Sequence, residues 1–151
     1  MDCLRDAEDL AGQHPPVSST QFLLADAAVL LGEMRSWGPP ELEADPMFGG
    51  LVERFMKRAA AFAKSFSLGG AILHCARGLH GPGGGKEFVA AESAAQRLGA
   101  DFLKARARCY HALKSPVSAR LQDGLTLLEK CGASAEAAFF QQLASRHDRF
   151  P

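Results

Sequence analysis

Residues 86–113 read KEFVAAESAAQRLGADFLKARARCYHAL, and this stretch decides the fold class. It has no proline and a single glycine, Gly99, and its apolar residues recur every three or four positions. Such a stripe, with charges on the other side, is typical of an amphipathic helix. The sequence therefore predicts one helix of about 40 Å over the stretch, against which other segments pack. The stripe consists of Phe88, Ala91, Ala95, Leu98, Phe102, Ala105, Cys109 and Leu113.

The remaining segments also show helical patterns between clear breaks. Residues 21–36 are apolar on nearly every side, from Phe22 to Met34, which predicts a central helix that is almost wholly buried. Asp45 and Pro46 predict a helix start, with a helix over 46–67 that weakens at 68–70 and resumes to about 79. Further helices are predicted at 2–12, after Pro116 and after Ser134. We therefore expect one all-α domain, with an acidic N-terminal segment at 1–20 and a bundle of five or six helices over 21–151.

The charge distribution and the cysteine content limit the classes of function that the sequence allows. The chain has 151 residues, which suits one domain, and its formal net charge is zero. Residues 1–53 carry ten acids and two bases, so the rest of the chain is basic. None of the four cysteines forms a CxxC pair, and no secretory signal precedes them, which indicates reduced thiols in an intracellular, cytoplasmic protein. We expect Cys3 to be exposed and Cys109 to be buried.

The residue spacings in this sequence do not match the motifs of common catalytic sites. The sequence GPGGGK at 81–86 lacks the first glycine and the final Ser or Thr of a phosphate-binding loop, and it favours a flexible helix connection. The five histidines are not spaced for a metal, and Cys109 and His111, two positions apart, point to different helix faces. The sequence predicts a protein that is not an enzyme and has no cofactor or metal.

One short motif leaves an alternative open. His74-Cys75-Ala76-Arg77-Gly78 resembles the HxxKG stretch of histidine phosphotransfer domains, which are four-helix bundles. That resemblance implies that His74 accepts a phosphoryl group and that Arg77 helps to hold it. The competing interpretation is an ordinary histidine and arginine near a helix end.

A longer resemblance, over about residues 47–150, is to BAR domains, the curved helical dimers that bind membranes. Residues 48–79 look like their first long helix, and the glycine-rich stretch at 81–83 like the linker after it. LQDGL at 121–125 is similar to their hydrophobic-x-Asp-Pro-Leu segment, with Gly124 in place of proline, and LASRHDRF at 143–150 to a later segment. The third long helix has no counterpart here, and Gly132 interrupts the second. The resemblance implies a homodimer that binds anionic membranes.

Two groups of basic residues are candidates for such a surface. Basic side chains near anionic lipid contribute about 1 kcal/mol each, so several together hold a protein reversibly as a peripheral membrane protein. Nucleic acid ranks lower, since no nucleic-acid motif is visible. The bases can instead neutralise the acidic residues 1–53, and the protein can be an adaptor or a structural subunit of a larger assembly. The candidate residues are Arg54, Lys57, Arg58 and Lys64 in one group and Arg97, Lys104 and Arg108 in the other.

Overall fold

The computed structural model describes residues 18–82, 84–115 and 118–147, and within these ranges the chain forms eight α-helices and no β-strand. This confirms the all-α class, with more helices than expected. The predicted helix at 2–12, with Cys3, lies outside the described residues. The helices are α1 (Ser18–Trp37), α2 (Glu41–Ala44), α3 (Pro46–Ser65), α4 (Gly69–His80), α5 (Gly85–Arg97), α6 (Asp101–Lys114), α7 (Ser118–Lys130) and α8 (Ser134–His147).

Helix α3 forms where its local signals predict it. The Asp45 side chain accepts a hydrogen bond of 2.8 Å from the Met47 backbone N–H, and Pro46 occupies the first turn, where it costs no helical hydrogen bond. The helix ends at Ser65 because Phe66 adopts an extended backbone. Its core-facing residues recur at helical spacing, so the opposite side of α3 is left to solvent. They are Phe48, Leu51, Phe55, Ala59 and Phe62.

The prediction of one continuous helix over 86–113 is wrong, because Gly99 ends α5. Gly99 has φ +63°, and the Ala100 and Gly99 N–H groups donate to the carbonyls of Ala95 and Gln96 at 3.0 and 3.2 Å. This pair of bonds is the Schellman arrangement, which favours glycine since other residues are strained at positive φ. The chain turns and α6 begins at Asp101. Consequently Leu98 and Phe102, expected in the buried stripe, are 42% and 36% exposed.

The centre of the bundle is α4 rather than α1. Helix α4 packs against α1, α3, α5 and α6, while α6 packs against α4, α5, α7 and α8. Helix α1 buries one side against α3 and α4, but Leu23 and Leu30 on its other side are 68% and 46% exposed. The prediction that α1 is almost wholly buried is therefore wrong, because an apolar circumference does not provide a neighbour on every side.

Close packing explains why glycine occupies positions 78 and 84, at the end of α4 and in its connection to α5. A Cβ at Gly78 would lie 2.6 Å from the Phe88 ring, and one at Gly84 would lie 2.2 Å from the Gly78 carbonyl oxygen. The two helices therefore approach closely at their connection. The glycine-rich stretch joins two helices, as expected, and follows a helix rather than the strand that precedes a phosphate-binding loop.

Candidate functional site

The first predicted basic group lies along the outer side of α3. Arg54, Lys57 and Lys64 are exposed, and Arg58 is half-buried. Within α3 the single acid is Glu53, whose carboxylate lies 2.7 Å from the Lys57 Nζ atom, and this hydrogen bond lowers the pKa of Glu53. The Lys57 side chain is nevertheless 76% exposed. We call these four cationic side chains the α3 basic surface, to which α3 itself contributes one acid, Glu53.

The second predicted basic group does not form one surface. The break at Gly99 places Arg97 at the end of α5 and the other two residues on α6, so the expected alignment on one helix face is wrong. Arg108 pairs with Glu92 of α5, at 2.7 Å from Nε and 2.6 Å from Nη2. Lys104 is half-buried, and Arg97 is exposed. Arg108 thus joins α6 to α5 through an ion pair within the bundle.

Sequence reasoning missed the most buried charge in the described part of the chain, Arg106. Its side chain is 9% exposed and contacts groups from three helices. Nη1 donates to Asp26 at 2.7 Å, Nη2 donates to the Tyr110 hydroxyl at 2.9 Å, and Nη2 lies 3.7 Å from Glu33. The Glu136 carboxylate lies 3.0 Å from Nε as an ion pair, without the alignment of a hydrogen bond.

The electrostatics of this Arg106 cluster follow from burial. Burial raises the pKa of Glu33, although the hydrogen bond from the Tyr110 hydroxyl and the charge of Arg106 oppose that change. Burial also raises the pKa of Tyr110 well above its ordinary value. Burial by itself would lower the pKa of Arg106, but the acidic groups around it outweigh this and hold the pKa well above its usual range. Arg106 therefore stays charged, facing three carboxyl groups.

The charge asymmetry of the sequence is thus partly internal. Asp26 and Glu33 belong to the acidic first part of the chain, and both lie within ion-pair distance of Arg106 from the basic part. The sequence feature that indicates such pairing is the presence of two acids, seven positions apart, in an otherwise apolar segment. Charged residues are rarely buried unless they are paired, so these acids call for a basic partner. The sequence does not indicate which of the fifteen bases after residue 53 is the partner.

The structure places His74 in a specific pair. Its Nδ1 atom lies 2.7 Å from the Glu87 carboxylate, and the two side chains are 32% and 38% exposed. Because a carboxylate oxygen accepts hydrogen bonds, Nδ1 is the donor in this contact. Arg77 is exposed one turn later on α4. The contact with Glu87 orients the imidazole of His74, and Arg77 follows three residues later on the same helix.

A shallow depression of about 410 Å³ lies next to this pair, between α3 and the turn that joins α4 to α5. Met56, Arg77, His80 and Glu87 contribute to its wall. His80 Nε2 lies 3.0 Å from the Ala28 carbonyl oxygen, and burial lowers the pKa of His80, so the neutral ring donates to that carbonyl. The His80 Nδ1 atom is buried without a hydrogen-bond partner.

The thiols of α4 and α6 are packing groups. Cys75 and Cys109 are buried, as predicted for Cys109, and burial raises the pKa of each to about 12. A Cβ at Gly124 would lie 2.6 Å from the Cys109 sulfur, so α7 packs directly on this thiol. His111 instead lies 3.0 Å from Arg120. Cys109 and His111 therefore do not form a nucleophile and base.

Comparisons with known proteins add no family. No family model matches the chain, and neither a curated protein nor a solved structure is similar to it. Over residues 18–82, 84–115 and 118–147, no helix is long and apolar enough to cross a membrane. Within the same residues no three His, Cys, Asp or Glu side chains are grouped to hold a metal ion. Over its described residues the chain is an all-α helical bundle.

Proposed function

We propose that the chain is a non-enzymatic helical interaction module whose α3 basic surface binds anionic membrane surfaces. The observation that supports this is the exposure of Lys57 and Lys64 on a helix with four bases and one acid. Each base near an anionic leaflet contributes about 1 kcal/mol, so this surface suffices for reversible, salt-sensitive binding. The proposed location is accordingly cytoplasmic, with part of the protein at a membrane.

We propose that the protein contacts the membrane through the exposed side of α3 and not through the long crescent of a BAR dimer. In the stretch that resembles the first BAR helix, α3 and α4 are separate helices that pack against each other. The 20 residues of α3 span about 30 Å. A homodimer like that of BAR proteins stays a prediction, and the vesicle binding proposed here does not depend on it.

Vesicle co-sedimentation tests the proposal. The wild-type protein should sediment with phosphatidylserine-containing vesicles at low salt and lose binding as salt rises, but not sediment with phosphatidylcholine vesicles. The double variant Lys57→Glu/Lys64→Glu should bind at least about 30-fold more weakly, because about 2 kcal/mol of attraction is replaced by repulsion. The matched control is Arg97→Glu/Arg146→Glu, which changes the net charge equally at exposed positions on α5 and α8.

Two results would contradict the proposal. One is the absence of wild-type binding to the anionic vesicles at low salt. The other is an equal loss in both double variants, which would mean that net charge, and not the α3 basic surface, governs binding. Circular dichroism of each variant verifies that the helical fold is retained.

A second candidate function is phosphoryl transfer at His74, and the contact between His74 and Glu87 favours it. The carboxylate keeps the proton on Nδ1, which leaves Nε2 to attack phosphorus while the donor's leaving group departs. Arg77 would stabilise the resulting phosphoryl group. Incubation with phosphoramidate should yield acid-labile phosphate in the wild type, none in His74→Gln and much less in Glu87→Gln. Equal labelling of wild type and His74→Gln would contradict this function.

A further inference from the structure

One side of α1 carries two exposed leucines and two acidic residues in a single line along the helix. Leu23, Asp26, Leu30 and Glu33 follow one another at spacings of three and four residues, so they form one stripe along the helix. Leu23 is 68% exposed and Leu30 is 46% exposed, the largest and third-largest exposures among the described large apolar side chains. Leucines seven positions apart on one side of a helix have the spacing of the anchors through which helices dock.

The middle of the stripe has an excess of negative charge. In the Arg106 cluster, the carboxyl groups of Asp26, Glu33 and Glu136 all lie within ion-pair distance of one guanidinium, that of Arg106. The side chains of Asp26 and Glu136 remain 30% and 29% exposed, so their charge is accessible from outside. The guanidinium also lies 5.7 Å from the centre of the Phe102 ring, which adds a partly exposed aromatic group on the α6 side.

We propose that this α1 stripe docks a basic amphipathic helix of a partner protein. Its leucines would contact apolar residues of the partner helix, and its carboxylates would pair with a Lys or Arg between them. Leu23 and Leu30 are about 10 Å apart along the axis, so the partner needs apolar residues seven positions apart with a cation near the middle. This surface lies on a different helix from the α3 basic surface and has the opposite charge.

Charge complementarity selects this occupant over two others. A second copy docked through the same stripe in a two-fold dimer would bring like carboxylates together. The chain's own residues 1–17 carry four acids, Asp2, Asp6, Glu8 and Asp9, against one base, Arg5. That segment would be repelled by Asp26 and Glu136, whereas a cationic helix would be attracted.

The test uses a fluorescein-labelled helical peptide of about 15 residues, with leucines seven positions apart and lysines between them. Fluorescence anisotropy should show saturable binding to the full-length protein, weakened by salt. A matched peptide with glutamates in place of the lysines should not bind. Leu23→Ser/Leu30→Ser should weaken binding at least about tenfold, because two apolar contacts are lost. The control variant Val89→Ser, at a 43% exposed position on α5, should bind like the wild type.

Each contrary result overturns the proposal in a distinct way. Failure of the lysine peptide to bind excludes a basic helix as the occupant. A wild-type dimer that Leu23→Ser/Leu30→Ser dissociates, measured by sedimentation velocity, assigns the stripe to a second copy. Faster thiol labelling of Cys3 in that double variant than in the wild type assigns it to the N-terminal segment.

Discussion

Replacing Arg106 with methionine removes the one cation of the Arg106 cluster while keeping a long, flexible side chain. The wild-type side chain is 9% exposed and contacts Asp26, Glu33, Glu136 and Tyr110 from three helices. After the substitution the three carboxyl groups face one another with no counter-charge. The change therefore separates the cost of an unpaired buried charge from the loss of packing.

The magnitude follows from burial and from the number of partners. Removing one partner of a buried ion pair costs roughly 3–5 kcal/mol, since the remaining charges are left desolvated. Exposed pairs are worth about 0–1 kcal/mol. Arg35, whose Nε atom lies 3.2 Å from Glu43 with both side chains more than 40% exposed, supplies the matched control. We expect Arg106→Met to lose about 3–5 kcal/mol of unfolding free energy and Arg35→Met less than about 1 kcal/mol.

Urea unfolding followed by far-ultraviolet circular dichroism measures both variants at neutral pH. Arg106→Lys provides a second variant in case Arg106→Met does not fold, and it should retain part of the stability because it keeps the charge but loses the planar fork. If Arg106→Met lost no more than Arg35→Met, the Arg106 cluster would not stabilise the contact of α1 and α8 with α6, and our assignment of its role would be refuted.

Three further predictions concern pH, packing and thiol access. Burial raises the pKa of Glu33 above 4.5, so its contribution to stability is complete below that pH and is lost as pH rises through the folded-state pKa; Glu33→Gln should flatten this part of the stability–pH curve, and an unchanged slope would refute it. Leu30→Ala, at a 46% exposed position, should cost less than about 1 kcal/mol in urea unfolding, whereas Leu31→Ala, fully buried, should cost about 2–5 kcal/mol; equal losses would contradict the orientation of α1. Native thiol labelling should modify Cys131 rapidly and Cys109, whose pKa is about 12, slowly, and the reverse order would mean that α6 is rotated.

The sequence predicted the fold where a local signal was sufficient. The start of α3 follows from Asp45 and Pro46, which act within one helical turn. The end of α5 could not be predicted in the same way, since an isolated glycine is compatible with a helix interior or with a C-terminal turn. In the structure Gly99 adopts φ +63° and the chain turns there, so that α5 and α6 pack against each other, a contact that helical spacing does not record.

The same distinction between local and tertiary signals applies to the candidate sites. The α3 basic surface could be predicted from spacing, because its members belong to a single helix. The Arg106 cluster could not, because Asp26 and Arg106 are 80 positions apart in the chain and only the packing of α1 near α6 joins them. The pairing of Arg108 with Glu92 was missed for the same reason, since it required the turn at Gly99.

The most direct test of the proposed function is to map the membrane-facing residues by nuclear magnetic resonance. Nanodiscs that contain phosphatidylserine are added to the isotope-labelled protein, and the broadening of each backbone amide signal is measured. The proposal predicts the strongest broadening along α3 around Lys57 and Lys64, and none with phosphatidylcholine nanodiscs. Strongest broadening on α5 and α6 near Arg97 and Lys104, or no broadening with either nanodisc, would contradict it.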